Sequence, residues 1–587
     1  MKWLRVSGII ALVLFQLTGC GGGGGDNDDS SSTVKLSVSA AGLKLLRFSW
    51  NDTGADHYKL LKNPDGNSGY TQLGEDLTDT SMDEEISVHL TDWLNASYLV
   101  QACDANGGCV DSTPIDVSSL MLDLIGYLKA PQISREYSFG YSIALSADET
   151  TLAIGAVGDA STATGVGVDP AVGGDNSATY SGAVNLYVRD GAGWRQQAYI
   201  KASNTGMEDL FGFSISLSED GNTLAVSAVA EASAASGIDG DQADNSVQGA
   251  GAVYLFRRNE GVWSQEAYIK ASNSRQWGVF GYQVSLSGSG DRLAVGSGGY
   301  AYLFEWDGSD WSQQAMLEPS IADEDNSFGE ALSLSSDGRT LAVSAPWEDV
   351  SQNNTDEEFP SIDAGAAYVF VSGRGGWTEQ AHIQPTEIDD LDGFGTSVSL
   401  SANGNTLAVG SLWESSSARG IDADSTDNSA DESGAVYLFE RNTEAWSQTA
   451  FIKASNAEQG DEFGHVLALS GDGNTLAVGA LEDSIARGIN GDQADNSARD
   501  SGAVYLFTRD NTSWRQQAYV KAPNTDQAWD EPGCIDECDI FNDWFGYGIA
   551  ISSDGSVLAV GAPYDDSGDS ANPDDDSTPL AGAVYLY

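Results

Sequence analysis

At 587 residues the chain is too long for one compact core unless that core repeats. Its 87 Asp and Glu against 27 Lys and Arg leave a formal net charge of −60. That balance excludes nucleic acid and an anionic membrane surface as partners, because both need a basic face. Glycine is abundant at 68 residues, and aromatic and β-branched residues fill the apolar segments, which reads as all-β with many turns.

Lys2 and Arg5 precede an apolar run from Ile9 to Leu17, and Leu17-Thr18-Gly19-Cys20 follows. A basic start and a short apolar stretch make a secretory signal over residues 1–19, too short to be a stable membrane span. The Leu-Thr-Gly-Cys ending resembles a bacterial lipobox. That resemblance implies cleavage before Cys20, acyl chains on its thiol and amine, and, with Gly21 next, release to the outer membrane. Several chains on one cysteine would supply a membrane anchor, on the cell surface or the periplasmic face. Residues 20–33, rich in Gly, Asp and Ser, can bury nothing and read as a flexible tether.

Residues 34–118 alternate strand-like segments with turns: LLRFSW, HYKLLKNP, EISVHL, SYLVQACD and GCVDSTPIDV. Short strands at this spacing predict a β-sandwich. The segment resembles a fibronectin type III module, in which Trp50 would be the core tryptophan and Tyr98 the corner tyrosine. Five cysteines leave Cys20 alone and form two close pairs, Cys103 with Cys109 and Cys534 with Cys538. In an exported chain each pair predicts a local disulfide. Zinc is the weaker reading, because His57, His89, His382 and His465 sit near neither pair.

From residue 122 to 587 a period appears. Phe-Gly pairs start at Phe139, Phe211, Phe280, Phe328, Phe394, Phe463 and Phe545. Each opens an alternating strand, and most are followed by an Asp-Gly or Asn-Gly turn whose positive φ suits a tight hairpin. Next comes a near-continuous apolar run such as LAVGAP, as expected of a strand buried on both faces. A GAVYLF strand and a Trp-led strand complete the unit. Seven first strands meet only six Trp-led strands. The seventh partner is IGYLKAP, residues 125–131, which aligns with QAYVKAP at residues 517–523. The prediction is a seven-bladed β-propeller over residues 122–587, with an N-terminal strand closing the last blade and removing the sheet edges.

This motif resembles the FG-GAP repeats of the integrin α-subunit propeller and of bacterial proteins built from such repeats. That family carries an Asp-rich calcium loop between the first two strands, where this chain has only short turns such as Asp472-Gly473-Asn474-Thr475. Acidic chemistry lies instead in the loops between the second and third strands, on the face shared with the connectors between blades. Binding is expected on that face. Three of these loops echo one another. Asp239, Asp241 and Asp244, then Asp422, Asp424 and Asp427, then Asn490, Asp492 and Asp495 offer hard oxygens at one recurring spacing, a candidate for Ca2+. The competing reading is an acidic, solvated turn, since the Asp-x-Asp-x-Asp-Gly spacing of an EF-hand is missing. The third repeat has no such loop, which leaves a notch.

The same face carries Trp347-Glu348, Trp413-Glu414 and Tyr564-Asp565, where aromatics beside carboxylates could stack on sugars and accept hydroxyl hydrogen bonds. Trp347, Glu348, Trp413 and Tyr564 are the candidate ligand-binding residues. No Gly-x-Ser-x-Gly, His-Glu-x-x-His or phosphate-cradling loop occurs. His382 and His465 fall in predicted strands and read as structural. The sequence therefore favours a monomeric lipoprotein that binds a protein or glycan through its acidic face. The alternative is a carbohydrate-active or lactonase-like enzyme using the same face.

Overall fold

The computed structural model describes residues 33–132, 134–167, 175–191, 193–321, 326–349, 363–387, 389–481, 487–493, 501–510, 513–525, 543–569, 575 and 577–587. Cys20, Asp495, Cys534 and Cys538 lie outside them. The protein is all-β, with only short helical turns among many antiparallel sheets.

Two small sheets come first. One holds Leu36–Gly42, Leu45–Trp50 and Ser81–Glu85; the other is built on His57–Asn63 and Ser97–Cys103. Alternation in LLRFSW sends Leu46, Phe48 and Trp50 inward, and Phe48 packs on Tyr98 with ring centroids 4.5 Å apart. Cys103 and Cys109 face each other across a hairpin and are disulfide-bonded.

Seven further sheets follow among the described residues, each built on four strands; in the first six these run in chain order, with Gly237–Ile238 a fifth strand on the second, and the last is completed by Gly126–Leu128 beside Ala583–Leu586. Six of the seven second strands, Thr223–Ala228 and Thr475–Ala480 among them, are buried at every residue, and the third departs only at its half-buried Arg292. A strand with sheets packed over both faces must be apolar throughout, and this explains the LAVSA and LAVGA runs. Successive first strands pack side by side, and Phe139–Leu145 of the first sheet also contacts Ile549–Ile551 of the seventh.

An innermost strand has no neighbour on its free edge, and buried N–H groups there need acceptors. Serines in the alternating LS pattern supply them. The Leu286, Leu334, Leu400 and Leu469 N–H groups donate to Oγ of Ser216, Ser285, Ser333 and Ser399 of the preceding sheet, each at 3.0 Å. Below them the turns join backbone to backbone: Ala147 to Glu219, Glu219 to Gly288, Gly288 to Ser336, Ser336 to Ala402 and Ala402 to Gly471, at 2.9 to 3.0 Å. Asp472 donates to Ser553 at 3.1 Å.

The Phe-Gly pair locks one sheet to the previous one. Phe463 is fully buried and T-stacks on Tyr505 and Phe507. Gly464 sits at φ +103, and a Cβ there would lie 2.6 Å from the carbonyl oxygen of Ala435 in the sheet before. Only glycine permits both the dihedral and the approach.

The two small sheets rest against the short-turn side of the larger assembly. His89 Nε2 lies 2.8 Å from the Gly555 carbonyl, and Lys44 Nζ donates to the Ser556 carbonyl at 2.9 Å, both in a first-to-second strand turn. Arg189 pairs with Glu85 from the neighbouring hairpin.

Candidate functional site: an aromatic collar

The residue after each Phe-Gly points into the space that the first strands surround. These residues are Tyr141, Phe213, Tyr282, Glu330, Thr396, His465 and Tyr547, and all seven line one cavity of about 510 Å3. The glycine breaks strand alternation at this point, with φ +98 at Gly140, +91 at Gly212 and +103 at Gly464, and so turns the next residue away from the face on which the Phe packs between sheets. Tyr547, Tyr141, Phe213 and Tyr282 form a chain of rings with centroids 4.7, 5.4 and 5.3 Å apart. His465 continues it at 5.7 Å from Tyr547. Trp347 and Trp413, 4.8 Å apart, complete the lining from the ends of second strands.

Among the lining residues there is no Lys or Arg. Glu330 supplies the one carboxylate. Burial pushes its carboxyl above the usual range, against hydrogen bonds from Ser327 and Trp347. Burial likewise pushes the Tyr141 and Tyr282 hydroxyls up to about 12, so both stay neutral and present π faces at any physiological pH. Thr396 Oγ1 is buried without a hydrogen-bond partner. Toward the short turns, a ring of Leu and Ile side chains from Leu145 to Ile551, with Glu219, Ser336 and Ser553 beside it, lines a second cavity of about 240 Å3.

Two of the four ligand-binding residues expected from the sequence, Trp347 and Trp413, belong to this collar. Tyr564 sits just outside it, 4.8 Å from Trp544, which stacks on Tyr547. Glu348 does not belong. It is 1% exposed, lies 2.7 Å from His382 Nε2 and accepts a hydrogen bond from the Tyr368 hydroxyl. The carboxylates that follow second strands are interior ion-pair partners: Asp159 with Lys201, Glu231 with Lys270, Glu414 with Lys453 and Asp565 with Lys129, at 2.6 to 2.7 Å. The recurring Lys-Ala dipeptide is half of this pair. His382 is therefore structural, as its strand position implied, but His465 is not buried packing: it faces the cavity.

The acidic loops also find a structural explanation. Asp239 donates its N–H to the Tyr268 carbonyl at 2.7 Å and accepts the Tyr268 N–H on Oδ1 at 3.0 Å. Asp422 with Phe451 and Asn490 with Tyr519 repeat both bonds at the same distances. An amide does this as well as a carboxylate, so the position needs an acceptor oxygen and not a charge. Asp241, Asp244, Asp424 and Asp427 cap their own turns, and Asp492 lies in the loop of Asn490. Among the described residues no group of three or more His, Cys, Asp or Glu is arranged to hold a metal ion.

Residues 194–256, 311–370, 377–439 and 446–507 match the family model described as FG-GAP repeat. The chain carries FG-GAP repeats. Each matched segment runs from the Trp of one fourth strand, across a Phe-Gly pair, into the next third strand, so the repeat is the unit that joins two sheets. No curated protein sequence matches the chain. Among solved structures, Kuenenia stuttgartiensis hydrazine synthase is 10% identical at a TM-score of 0.41, covering 74% of this chain and 96% of that one. A chain of a mitotic checkpoint complex is 13% identical at 0.39, covering 74% and 87%.

The collar escaped the sequence reading because its members differ chemically. The available signal was positional: the residue after Phe-Gly varies while the Phe-Gly before it stays constant, and four of the seven are Tyr or Phe.

Proposed function

We propose that the seven sheets form a closed seven-bladed propeller and that the protein is a binding module, whose partner inserts a cationic group into the aromatic collar. Support for closure comes from the first and seventh innermost strands packing on each other and from the backbone bonds that link successive turns. The observation that carries the binding reading is the collar itself: Tyr, Phe and Trp faces around one cavity whose lining holds Glu330 and neither Lys nor Arg. Aromatic faces attract cations through their quadrupoles, and burial strengthens the attraction. A formal charge of −60 steers a basic partner toward such a site.

Anchoring is the second half of the proposal. Acylation at Cys20 would leave the two small sheets as a spacer, seated on the side of the short turns, with the collar and long loops facing away from the membrane. Radiolabelled palmitate incorporation that persists in Cys20→Ala would contradict this.

Titration with arginine amide and tetramethylammonium, followed by tryptophan fluorescence, tests the collar. Saturable changes that weaken at least tenfold in Tyr547→Ala and Trp413→Ala are expected, with neutral disaccharides inert. Saturable binding of the disaccharides instead would favour the sugar reading. No response to either class, or unchanged affinity in both variants, would remove the collar as the site.

A further inference from the structure

Four of the sheets protect their outer edges with their own long loops, and the third does not. In the second sheet Gly237–Ile238 pairs with Lys270 and Ile269 of the fourth strand. Val166 bridges Ile200, Ile421 bridges Ile452 and Ile489 bridges Val520 in the first, fifth and sixth. In all four a Val or Ile lies beside the edge, and the next residue bonds to the outward N–H or carbonyl of the strand. The aromatic covered in this way is 3, 0, 5 and 0% exposed at Tyr199, Tyr268, Phe451 and Tyr519.

In the third sheet Arg292–Ser297 and Tyr300–Trp306 are joined by Gly298-Gly299 alone, so no loop exists to fold back. Its edge strand is Trp311–Leu317, and Met316, at the position of those aromatics, is 41% exposed. Sequence devices that blunt edges are missing from it, since WSQQAML contains no charge, proline or glycine. The buried ion pair has gone as well: exposed Glu318 stands where Lys270 stands in the second sheet.

We propose that this edge accepts an extended, basic segment of a partner protein as a fifth strand. The four covered sheets show the geometry such a segment would adopt: a β-branched residue beside Leu317 and an acceptor oxygen for the Met316 N–H. Main-chain bonds would give affinity, as in strand addition generally. The unbranched Met316 adapts its shape to what covers it. Basic character follows from charge, because Asp310 and Glu318 flank the strand, no Lys or Arg lies within it, and the chain as a whole is strongly anionic. This site is on the outer rim and does not depend on the collar.

The test uses the full chain and two fluorescein-labelled peptides. One is residues 234–243, the loop that covers the second sheet; the other is the same peptide carrying Ala234→Lys, Asp241→Lys and Gln242→Lys. Fluorescence anisotropy should show saturable binding of the basic peptide and weaker binding of the native one. Glu318→Lys should weaken the basic peptide about fivefold, the scale of one exposed charge pair. Inserting residues 230–248 between Gly298 and Gly299 supplies the missing cover and should abolish binding. Hydrogen exchange gives an independent readout, with the Met316 amide expected to exchange faster than those of Tyr268, Phe451 and Tyr519. Absence of basic-peptide binding, binding that survives the inserted cover, or a Met316 amide as protected as its counterparts would each overturn the proposal. A concentration-dependent dimer abolished by the inserted cover would also overturn it, assigning the edge to a second copy of this chain.

Discussion

Lys453 and Glu414 offer the sharpest test of the packing between loops and sheets. Their ammonium and carboxylate are 2.6 Å apart, with side chains 0 and 4% exposed, and Lys453 also donates to Ser433 Oγ at 2.7 Å. Burial pulls the Lys453 ammonium below its ordinary value, against the pull of Glu414. Lys453→Met removes the cation while keeping most of the stem volume, and it strands a buried carboxylate whose remaining donor is the Ser416 N–H at 3.2 Å. Removing one partner of a buried pair costs about 3–5 kcal/mol, whereas replacing both by groups of similar volume is often close to neutral. The double variant Lys453→Met with Glu414→Gln should therefore be more stable than the single one. Urea unfolding followed by tryptophan fluorescence reads both. The single variant's deficit should shrink between pH 8 and pH 5, since a stranded carboxylate escapes its penalty by taking up a proton. A loss under about 0.5 kcal/mol in Lys453→Met, the range of ordinary surface changes, would refute the reasoning. So would a double variant less stable than the sum of the singles.

Burial pushes the Asp209 carboxyl up to about 6 and the Asp392 carboxyl up to about 7, against an unfolded value of 3.8. A folded value above the unfolded one means a penalty that is present at high pH and lifted as pH falls through it. Stability should therefore rise from pH 8 to about pH 5, by at most about 1.4 kcal/mol per unit and per group. Below pH 4 it should fall, because Asp220 and Asp472, although partly buried, are held low by hydrogen bonds from Ser218 and Asn222, and from Ser470 and Asn474. Asp65, drawn down to about 2 by Ser68 and Asn67, is lost last. A melting temperature that rises steadily from pH 5 to pH 8 would contradict this. Asp422→Asn should leave urea stability unchanged and Asp422→Ala should cost about 1 kcal/mol, as the acceptor and not the charge matters. Equal losses in both would restore a role for the charge. Gly464→Ala should cost about 2 kcal/mol or more by forcing a Cβ against the Ala435 carbonyl; a variant as stable as the parent would mean the sheets can separate freely there.

Patterns repeated in the chain carry most of the architecture. All-β character, the strand order within each sheet and the apolar second strands are legible because each repeat satisfies the same local rules of alternation, turn chemistry and burial. The serines of the first strand were legible as alternation. Their purpose was not, because their partners are N–H groups in the following sheet, about 50 to 70 residues away.

The candidate sites divide along the same line. Trp347 and Trp413 are legible from composition at a loop base, yet Glu348 beside Trp347 turns inward to Tyr368 and His382. Asp239, Asp422 and Asn490 recur as candidate Ca2+ ligands, and each also closes a sheet edge with two backbone hydrogen bonds. Repetition along the chain identifies positions under a common constraint, but it does not say whether the constraint is packing or ligand chemistry. The collar is the converse case: Tyr141, Phe213, Tyr282, Glu330, Thr396, His465 and Tyr547 are too dissimilar to form a motif. They become one site only because the sheets bring equivalent positions, separated by 48 to 82 residues of chain, around a single cavity.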